Sequence, residues 1–310
     1  MQSDRLAEDG GAFMHTGMTD RNKAVALLAI AIGASATAWV ATKIGLSDAS
    51  PVWYALGRAW LATFAGFALL GALGRFRRPT RADLPVILSV GTLQLGLFFM
   101  LINLGIARLP AGRSIVIAYT TTLWIVPLAG PLIQEWPNRR QLLGVLIGFA
   151  GVFVLLLPAL RQIGGIDDLS GYGFLLAAAL SWALAILHAR QHRWHLTPLQ
   201  VMPWQMLYAA LLLIPLALLA EPQGGIGWTV TALVPLAFIG LVAGPLITWS
   251  TTSVAKMLPA VAASLGFLLT PAAGIVLSTL WLGEPLGLDL LGGAALVLAG
   301  AAVAIVARRR

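Results

Sequence analysis

The sequence predicts an all-α polytopic membrane protein in which ten transmembrane helices form two inverted five-helix repeats. Composition is the first observation: of 310 residues, 59% are hydrophobic and only 10% are charged, whereas soluble proteins carry about 25% charged residues. The second is a series of ten apolar stretches, each near the ~20 residues that cross a bilayer. The third is an internal repeat in which matching features lie 149 residues apart.

The apolar stretches favour helices over barrel strands. Strands of a membrane barrel alternate in polarity, whereas these stretches are apolar on every face. Backbone groups in lipid must be paired within the segment, which a helix achieves. Proline- and glycine-containing turn signals separate the stretches. The predicted spans are residues 24–44, 52–72, 84–107, 112–134, 140–160, 170–190, 200–220, 230–252, 260–282 and 288–307.

The spans divide the chain into two repeats with short polar ends. Residues 1–23 are polar and lack the apolar run of a signal peptide, so they are predicted to be a disordered cytosolic tail. The first repeat is predicted over 24–160 and the second over 170–307, with a linker at 161–169. Residues 308–310 form a basic C-terminal tail.

Charge predicts the orientation. When ten spans are threaded, 15 of the 20 Lys and Arg residues fall on the side that carries both chain ends, and 5 fall on the other. Positive residues concentrate in cytoplasmic loops, so both ends are predicted to be cytosolic. The net charge of +8 is thus explained by membrane topology rather than by nucleic-acid binding. The absence of Cys excludes disulfides and thiolate metal sites.

The repeat rests on residues that are rare in apolar runs. Pro110 is followed 25 positions later by Glu135, and Pro259 is followed 25 positions later by Glu284. This coincidence indicates internal duplication. Because five spans are an odd number, the second repeat enters the membrane in the opposite sense, as in many secondary transporters.

Small residues recur in spans 5 and 10. Gly144 and Gly151 in span 5 correspond to Gly293 and Gly300 in span 10, and Gly148, Gly292 and Ala295 are further small residues of these spans. Small residues allow helix backbones to approach closely. We expect packing within one chain, which leaves the protein monomeric; a dimer face is the alternative.

Four segments near spans 4 and 9 resemble those of a known family. They are Arg108-Leu109-Pro110-Ala111 through Glu135, Lys256-Met257-Leu258-Pro259-Ala260, Leu269-Thr270-Pro271 and Leu282-Gly283-Glu284-Pro285. With ten spans in two halves, they resemble the drug/metabolite transporter superfamily, and within it the EamA-type family. The whole chain from residue 24 is most similar to bacterial exporters of aromatic and other neutral amino acids. One departure is that Pro271, a mid-span proline of the family, has Thr122 as its counterpart in the first repeat.

The resemblance implies a multi-pass protein of the bacterial inner membrane that exports amino acids by alternating access. One four-helix group would rock against the other, with spans 5 and 10 as packing struts. The nearest alternative is export of other small metabolites or drugs, such as nucleosides or cations. A channel or a multispan membrane enzyme is a more remote alternative. No catalytic motif and no cofactor site is recognisable, so we expect no enzyme activity.

The positions of the acidic residues indicate whether transport is coupled to an ion gradient. All 12 lie in the tail, in loops or at span ends. Ion-coupled carriers usually keep a carboxylate on the pathway, because ionisable groups inside the membrane are costly unless they are used. The sequence therefore predicts an uncharged central cavity and facilitated diffusion or exchange.

Polar and aromatic side chains inside the spans are the candidates for substrate contact. Apolar walls with a few hydrogen-bonding groups suit a small zwitterion with a variable side chain. The alternative for each is a bond within its own helix or an anchor at the lipid interface. The candidates are Gln94, Phe98, Tyr119, Trp182, Gln205, Tyr208, Thr248, Trp249 and Ser264.

Two arginines and three prolines in or beside the spans are also predicted to have roles. Arg58 and Arg113 are expected to extend to lipid headgroups, or else to attract a substrate carboxylate near the outer mouth. Pro110, Pro259 and Pro271 are expected to act as hinges, because proline removes a backbone bond and kinks a helix.

Three histidines have a spacing typical of a metal site. His188, His192 and His195 fall on one helical face. Two arginines and no acidic residue lie among them, so we expect a solvated helix end and no bound metal; pH gating is the alternative.

Overall fold

The structure, a computed structural model, describes residues 3–161, 166–192 and 195–307; it does not describe the side chains of residues 3–21, 161, 166–168, 248, 252, 255, 256, 260 and 261. Within this part of the chain, ten helical segments can cross a membrane, which confirms the predicted number. Spans 1 to 10 are Asn22–Gly45, Pro51–Ala72, Leu84–Arg108, Ala111–Ile133, Arg139–Leu160, Leu169–Gln191, Pro198–Ala220, Val230–Thr251, Ala262–Leu282 and Leu288–Val306.

Some helices extend beyond the apolar spans. The first helix is Ser3–Gly45 and begins inside the predicted tail. Spans 5 and 6 belong to the helices Arg139–Arg161 and Ile166–Gln191. Span 7 begins with a capping box, in which Thr197 and Gln200 each accept a backbone N–H of the other.

Four spans are interrupted, at matching places in the two repeats. Such interruptions occur where backbone lines a functional cavity. Span 3 comprises helix Leu84–Val90, a π-helical stretch Gly91–Leu97 and helix Phe98–Arg108. Span 8 comprises Val230–Ala237, a π-helical stretch Phe238–Ala243 and Gly244–Met257. Span 4 comprises Ala111–Ala118 and Thr121–Ile133, and span 9 comprises Ala260–Phe267 and Leu269–Leu282.

The breaks in spans 4 and 9 do not both depend on proline. In span 9 the break at Leu268 precedes Pro271 by three residues. In span 4 the hydroxyls of Thr120 and Thr121 donate to the carbonyls of Ile117 and Ala118, at 2.6 and 2.8 Å. Such local side-chain bonds compete with helix continuation. Pro110 and Pro259 precede new helices rather than kinking continuous ones.

The backbone repeats at the sequence spacing. Tyr119 and Leu268, at the two breaks, are 149 residues apart. The left-handed residues that end spans 4 and 9 are Gln134, with φ 60°, and Gly283, with φ 68°, again 149 residues apart. Glycine reaches this conformation without strain, whereas glutamine does not.

Helix packing follows the same symmetry. Span 2 packs against span 7, and span 5 packs against span 10. The contact of span 3 with span 6 is matched by that of span 8 with span 1, and the contact of span 4 with span 6 is matched by that of span 9 with span 1. When each span is replaced by its counterpart in the other repeat, every one of these contacts maps onto itself or onto another of them. The two repeats are therefore related by a pseudo-twofold axis, as expected for inverted repeats.

Glycines bring spans 5 and 10 together within the chain. A Cβ added at Gly151 would lie 2.7 Å from the carbonyl oxygen of Gly293, and one added at Gly144 would lie 2.7 Å from that of Gly300. Only residues without a side chain fit at this distance. The glycines of spans 5 and 10 therefore serve packing within one chain, as expected.

The carboxylate of Asp83 joins the two halves outside the membrane. It is fully buried. It accepts the backbone N–H and hydroxyl of Thr80 at 2.8 and 2.7 Å, and the backbone N–H groups of His195 and Leu196 at 2.7 and 3.2 Å. Burial alone raises the pKa of this carboxyl, but these hydrogen bonds more than offset burial and lower its pKa to about 2.

We expect Asp83→Asn to destabilise the protein by about 1–3 kcal/mol at neutral pH, because an amide keeps only one acceptor oxygen and its NH2 group faces either the Thr80 donors or the N–H groups of His195 and Leu196. A lowered pKa stabilises the fold above the ordinary carboxyl pKa, and that stabilisation is lost as pH falls toward 2. The melting temperatures of wild type and variant in detergent should therefore converge between about pH 4 and pH 2. The exposed Asp48, changed to Asn, is the control and should lose less; a constant gap across this range would contradict the assignment.

Candidate functional site

A cavity of about 600 Å³ lies between the two repeats. Side chains of spans 1 to 4 and 6 to 8 form its wall, and the π-helical stretch of span 3 contributes Gln94 and Leu95. In span 8, Gly244 and Pro245 follow the other π-helical stretch and also line the cavity. The π-helical stretch of span 3 and the residues that directly follow that of span 8 thus face the same space.

Aromatic rings cover much of this wall. The ring of Trp182 meets that of Phe98 edge-on, with centroids 4.4 Å apart. Phe99, Trp39 and Tyr119 add further aromatic surface, and Tyr119 occupies the break in span 4. Such a surface binds an apolar or aromatic group of variable size.

One cationic group lies among these rings. The guanidinium carbon of Arg58 is 3.8 Å from the centroid of the Phe99 ring, and Arg58 lines the cavity. An arginine stacked on an aromatic face is held in place while its N–H groups stay available for a carboxylate. The prediction of an uncharged cavity is therefore wrong. Sequence position alone did not show that the stem of Arg58 turns inward rather than toward lipid.

Two amides supply neutral hydrogen-bonding groups. Gln94 in span 3 and the buried Gln205 in span 7 both line the cavity. Among the described lining residues there is no Asp or Glu. The site therefore offers the guanidinium of Arg58 among the rings, a second guanidinium from Arg190 at its exposed end, two amides and an aromatic wall. This combination complements a small molecule bearing a carboxylate.

The ends of the cavity differ. We call the side formed by the loops between spans 2 and 3, 4 and 5, 6 and 7, and 8 and 9 the Arg-rich face. Arg190 and Pro198, both exposed, line the cavity at this face. Arg190 lies 3.6 Å from Glu135, and both side chains are about half exposed. The Arg-rich face carries Arg75, Arg77, Arg78, Arg81, Arg139, Arg140 and Arg190.

Toward the opposite face the cavity is closed. Its last residues there, Thr42 and Ile106, are 3% and 0% exposed. Lys43 donates to the carbonyl oxygens of Ile106 and Leu109 at 2.6 and 3.0 Å, which ties span 1 to the end of span 3. The structure thus has a cavity that opens toward the Arg-rich face.

Two further contacts close the opposite face. The carboxylate of Glu284, beyond span 9, accepts the backbone N–H groups of Ala111 and Gly112 at 2.6 and 2.9 Å. Arg113 donates to the carboxylate of Asp289 at 2.5 Å and to the hydroxyl of Tyr172 at 2.7 Å. These contacts join span 4 to spans 6, 9 and 10.

The structure brings together six of the predicted contact residues and leaves others outside. Gln94, Phe98, Tyr119, Trp182, Gln205 and Arg58 line the cavity, whereas Arg113, Tyr208, Trp249 and Ser264 do not. The Thr248 side chain is not described.

The residues outside the cavity have other surroundings. Arg113 is occupied by Asp289 in the network that closes the opposite face. Tyr208 packs against Gly91 between spans 3 and 7, so closely that a Cβ added at Gly91 would lie 2.7 Å from the Tyr208 ring. Trp249 is 56% exposed on the outside, and Ser264 is also exposed. These positions reflect helix rotation about the axis, which apolar sequence does not encode.

Trp39 and Phe99 line the cavity but were not among the predicted residues. Phe99 lies four residues after Leu95 and three before Ile102, at helical spacing, but only the structure shows that this face of span 3 lines the cavity. For Trp39, only the packing of span 1 shows that its side chain faces the cavity.

The three histidines at helical spacing make different contacts in the structure. The rings of His188 and His192 stack with centroids 4.2 Å apart. His195 instead contributes its backbone N–H to Asp83. The three residues therefore do not act as one cluster.

Comparisons with known proteins agree with this architecture. The chain is 28% identical to a probable terminal-alkyne amino-acid exporter of Streptantibioticus cattleyicolor, over 93% of this chain and 94% of that protein. It is 26% identical to a probable amino-acid metabolite efflux pump of Salmonella typhimurium, over 84% and 88% of the two chains. An uncharacterized transporter of Bacillus subtilis, YoaV, is 24% identical over 84% and 89%.

A solved crystal structure shares the fold. It aligns with a TM-score of 0.60 at 23% identity, and the alignment covers 93% of this chain and 99% of the other. The EamA-like transporter family matches twice, over residues 22–157 and again over 169–306, which correspond to the two five-span repeats. With ten membrane-spanning helices around one central cavity, the chain belongs to the EamA-like transporter family and is a multi-pass membrane transporter.

Proposed function

We propose that the protein exports amino acids, aromatic and other neutral ones, through the central cavity by alternating access. The single observation that carries this proposal is the guanidinium of Arg58, fixed on Phe99 at 3.8 Å in an aromatic cavity that has no described acidic residue. The arginine complements a substrate carboxylate, and the rings complement the side chain. The names of two relatives, both associated with amino-acid export, support the same cargo.

The proposed direction follows from charge. Positive residues favour the cytosolic side, so the Arg-rich face and both chain ends would lie in the cytosol of a bacterial inner membrane. The cavity opens toward that face, which is the state that receives an exported substrate. Without a carboxylate on the described pathway, transport is proposed to be facilitated diffusion or exchange.

The test is counterflow in proteoliposomes that contain the purified protein. Vesicles loaded with unlabelled phenylalanine or leucine should accumulate the labelled amino acid, and an imposed pH gradient should not be required. The corresponding amino-acid amides, nucleosides and quaternary ammonium ions are the comparison substrates. Counterflow of nucleosides or cations but not of amino acids would replace the proposed cargo, and strict dependence on the gradient would contradict uncoupled transport.

Arg58→Gln should lower amino-acid counterflow by at least about 30-fold, since loss of one member of a buried ionic contact costs roughly 2 kcal/mol or more. Arg58→Lys should retain part of the activity, because a charge remains without the planar two-donor geometry. Arg81→Gln, in a loop of the Arg-rich face, is the matched control and should transport like wild type. Equal rates for Arg58→Gln and Arg81→Gln would remove Arg58 from the site.

A further inference from the structure

A second concave surface lies outside the transport cavity. It is a groove of about 1000 Å³ between spans 5 and 10, at the Arg-rich face. Its apolar part is formed by Leu143, Val303 and Val306, which are 54%, 36% and 49% exposed. Its rim is formed by the exposed Arg139 and Arg140.

The two helices that form this groove are in close contact. Spans 5 and 10 touch backbone to backbone, since a Cβ at Gly144 would lie 2.7 Å from the carbonyl oxygen of Gly300. At the rim, the side-chain amide of Asn138 donates to the carbonyl oxygen of Ala307 at 2.8 Å. The groove therefore lies between two helices that are in backbone contact and are joined at its rim by a hydrogen bond.

We propose that this groove binds one anionic phospholipid of the leaflet at the Arg-rich face. An acyl chain would lie on Leu143, Val303 and Val306, and the phosphate would bind Arg139 and Arg140. Both parts of the lipid meet matching groups, because apolar side chains face its acyl chain within the membrane and guanidinium groups lie at the level of its phosphate. No Asp or Glu lies among the described residues that line the groove.

The inverted repeat provides an internal comparison. At the spacing of 149 residues, Arg139 and Arg140 correspond to Leu288 and Asp289. These residues begin span 10 at the opposite face, where Asp289 forms an ion pair with Arg113. At that end, the two positions that correspond to Arg139 and Arg140 thus hold no basic residue. Anionic lipid is therefore bound at the Arg-rich face and not at the symmetry-related end.

The sequence adds positive charge next to the groove. Ala307, which lines it, is followed directly by Arg308, Arg309 and Arg310. Those three residues lie outside the described part of the chain. By sequence alone, this end of the chain carries three further positive charges.

The experiment uses the full-length protein purified in detergent and titrated with defined lipids. Phosphatidylglycerol and cardiolipin should raise the melting temperature of wild type by several degrees, whereas phosphatidylcholine should not. In the double variant Arg139→Gln/Arg140→Gln, we expect the affinity for phosphatidylglycerol to fall about 10- to 30-fold. Equal stabilisation by phosphatidylcholine would overturn the proposal.

The matched control is Arg77→Gln/Arg78→Gln, which removes the same two charges from the loop between spans 2 and 3 on the same face. It should bind phosphatidylglycerol like wild type. If both double variants lose affinity equally, binding depends on net charge and the groove is not a site. The melting temperature of each variant without lipid shows whether it is folded, and native mass spectrometry of retained phosphatidylglycerol gives an independent measure of binding.

Discussion

Gly300→Ala is expected to destabilise the protein by about 1–3 kcal/mol, the usual cost of adding atoms to a closely packed interface. The added methyl would lie 2.7 Å from the Cα of Gly148 and in contact with the carbonyl oxygen of Gly144. Both are backbone atoms, so only separation of spans 5 and 10 can relieve the contact. The measurement is the melting temperature in detergent together with the yield of folded protein.

Gly292→Ala is the matched control for this prediction. It makes the same chemical change in the same helix, but an added Cβ at Gly292 would meet no atom within 4 Å. The helix preference of alanine should leave the control as stable as wild type or more stable by up to about 1 kcal/mol. If both variants melt at the same temperature, close packing of spans 5 and 10 does not determine stability.

Glu284→Ala is expected to open the cavity toward the opposite face. It removes the acceptor of the Ala111 and Gly112 N–H groups, which belong to buried residues at the start of span 4. Unpaired buried groups cost roughly 1–3 kcal/mol, and each 1.4 kcal/mol shifts a two-state population tenfold. The arrangement that is closed at the opposite face should therefore lose about tenfold in population relative to one that is open there.

The measurement is maleimide labelling of a single cysteine at Ser35, which lines the cavity. The chain has no native cysteine that would interfere. With a membrane-impermeant reagent supplied at the opposite face, Glu284→Ala should raise the labelling rate about tenfold. The labelling rate of Glu284→Gln, which keeps one acceptor oxygen, should lie between those of wild type and Glu284→Ala.

Gln223→Ala, in an exposed loop of the opposite face, is the control and should not change the labelling. If the labelling rate of Glu284→Ala stays at the wild-type value while its melting temperature falls, Glu284 stabilises the fold without closing the cavity.

Parts of the fold were predictable because their signals lie along the chain. Apolar length and turn signals gave ten spans, and the structure has ten. The pairs Pro110 with Pro259 and Glu135 with Glu284 gave the repeat, which reappears as two family matches and as matching helix breaks. The division into a tail, two repeats, a linker and a basic end stays a prediction in its detail.

Other features followed from contacts that the repeat did not reveal. The absence of a proline at Thr122 suggested unequal bending of spans 4 and 9. Both spans nevertheless break at the same position, because hydroxyls of Thr120 and Thr121 bond the preceding carbonyls. The action of Pro110, Pro259 and Pro271 as hinges stays a prediction.

Candidate contact residues were predictable only in part. Trp182 and Trp249 are both aromatic residues inside apolar spans, yet one lines the cavity and the other is 56% exposed. Arg58 and Arg113 were equivalent by sequence, yet Arg58 lies on Phe99 at the cavity wall and Arg113 is paired with Asp289. Nothing in the local sequence separates the members of either pair.

By itself, the sequence determined that the chain spans a membrane ten times, that its halves are inverted copies and that little acidic charge is placed inside the bilayer. The tertiary structure decided which helix faces enclose the cavity, which arginine enters it and which glycines join spans 5 and 10. The physical reason is that helices in lipid are apolar on all sides. Hydrophobicity fixes their length and number, while only contacts between helices fix their rotation.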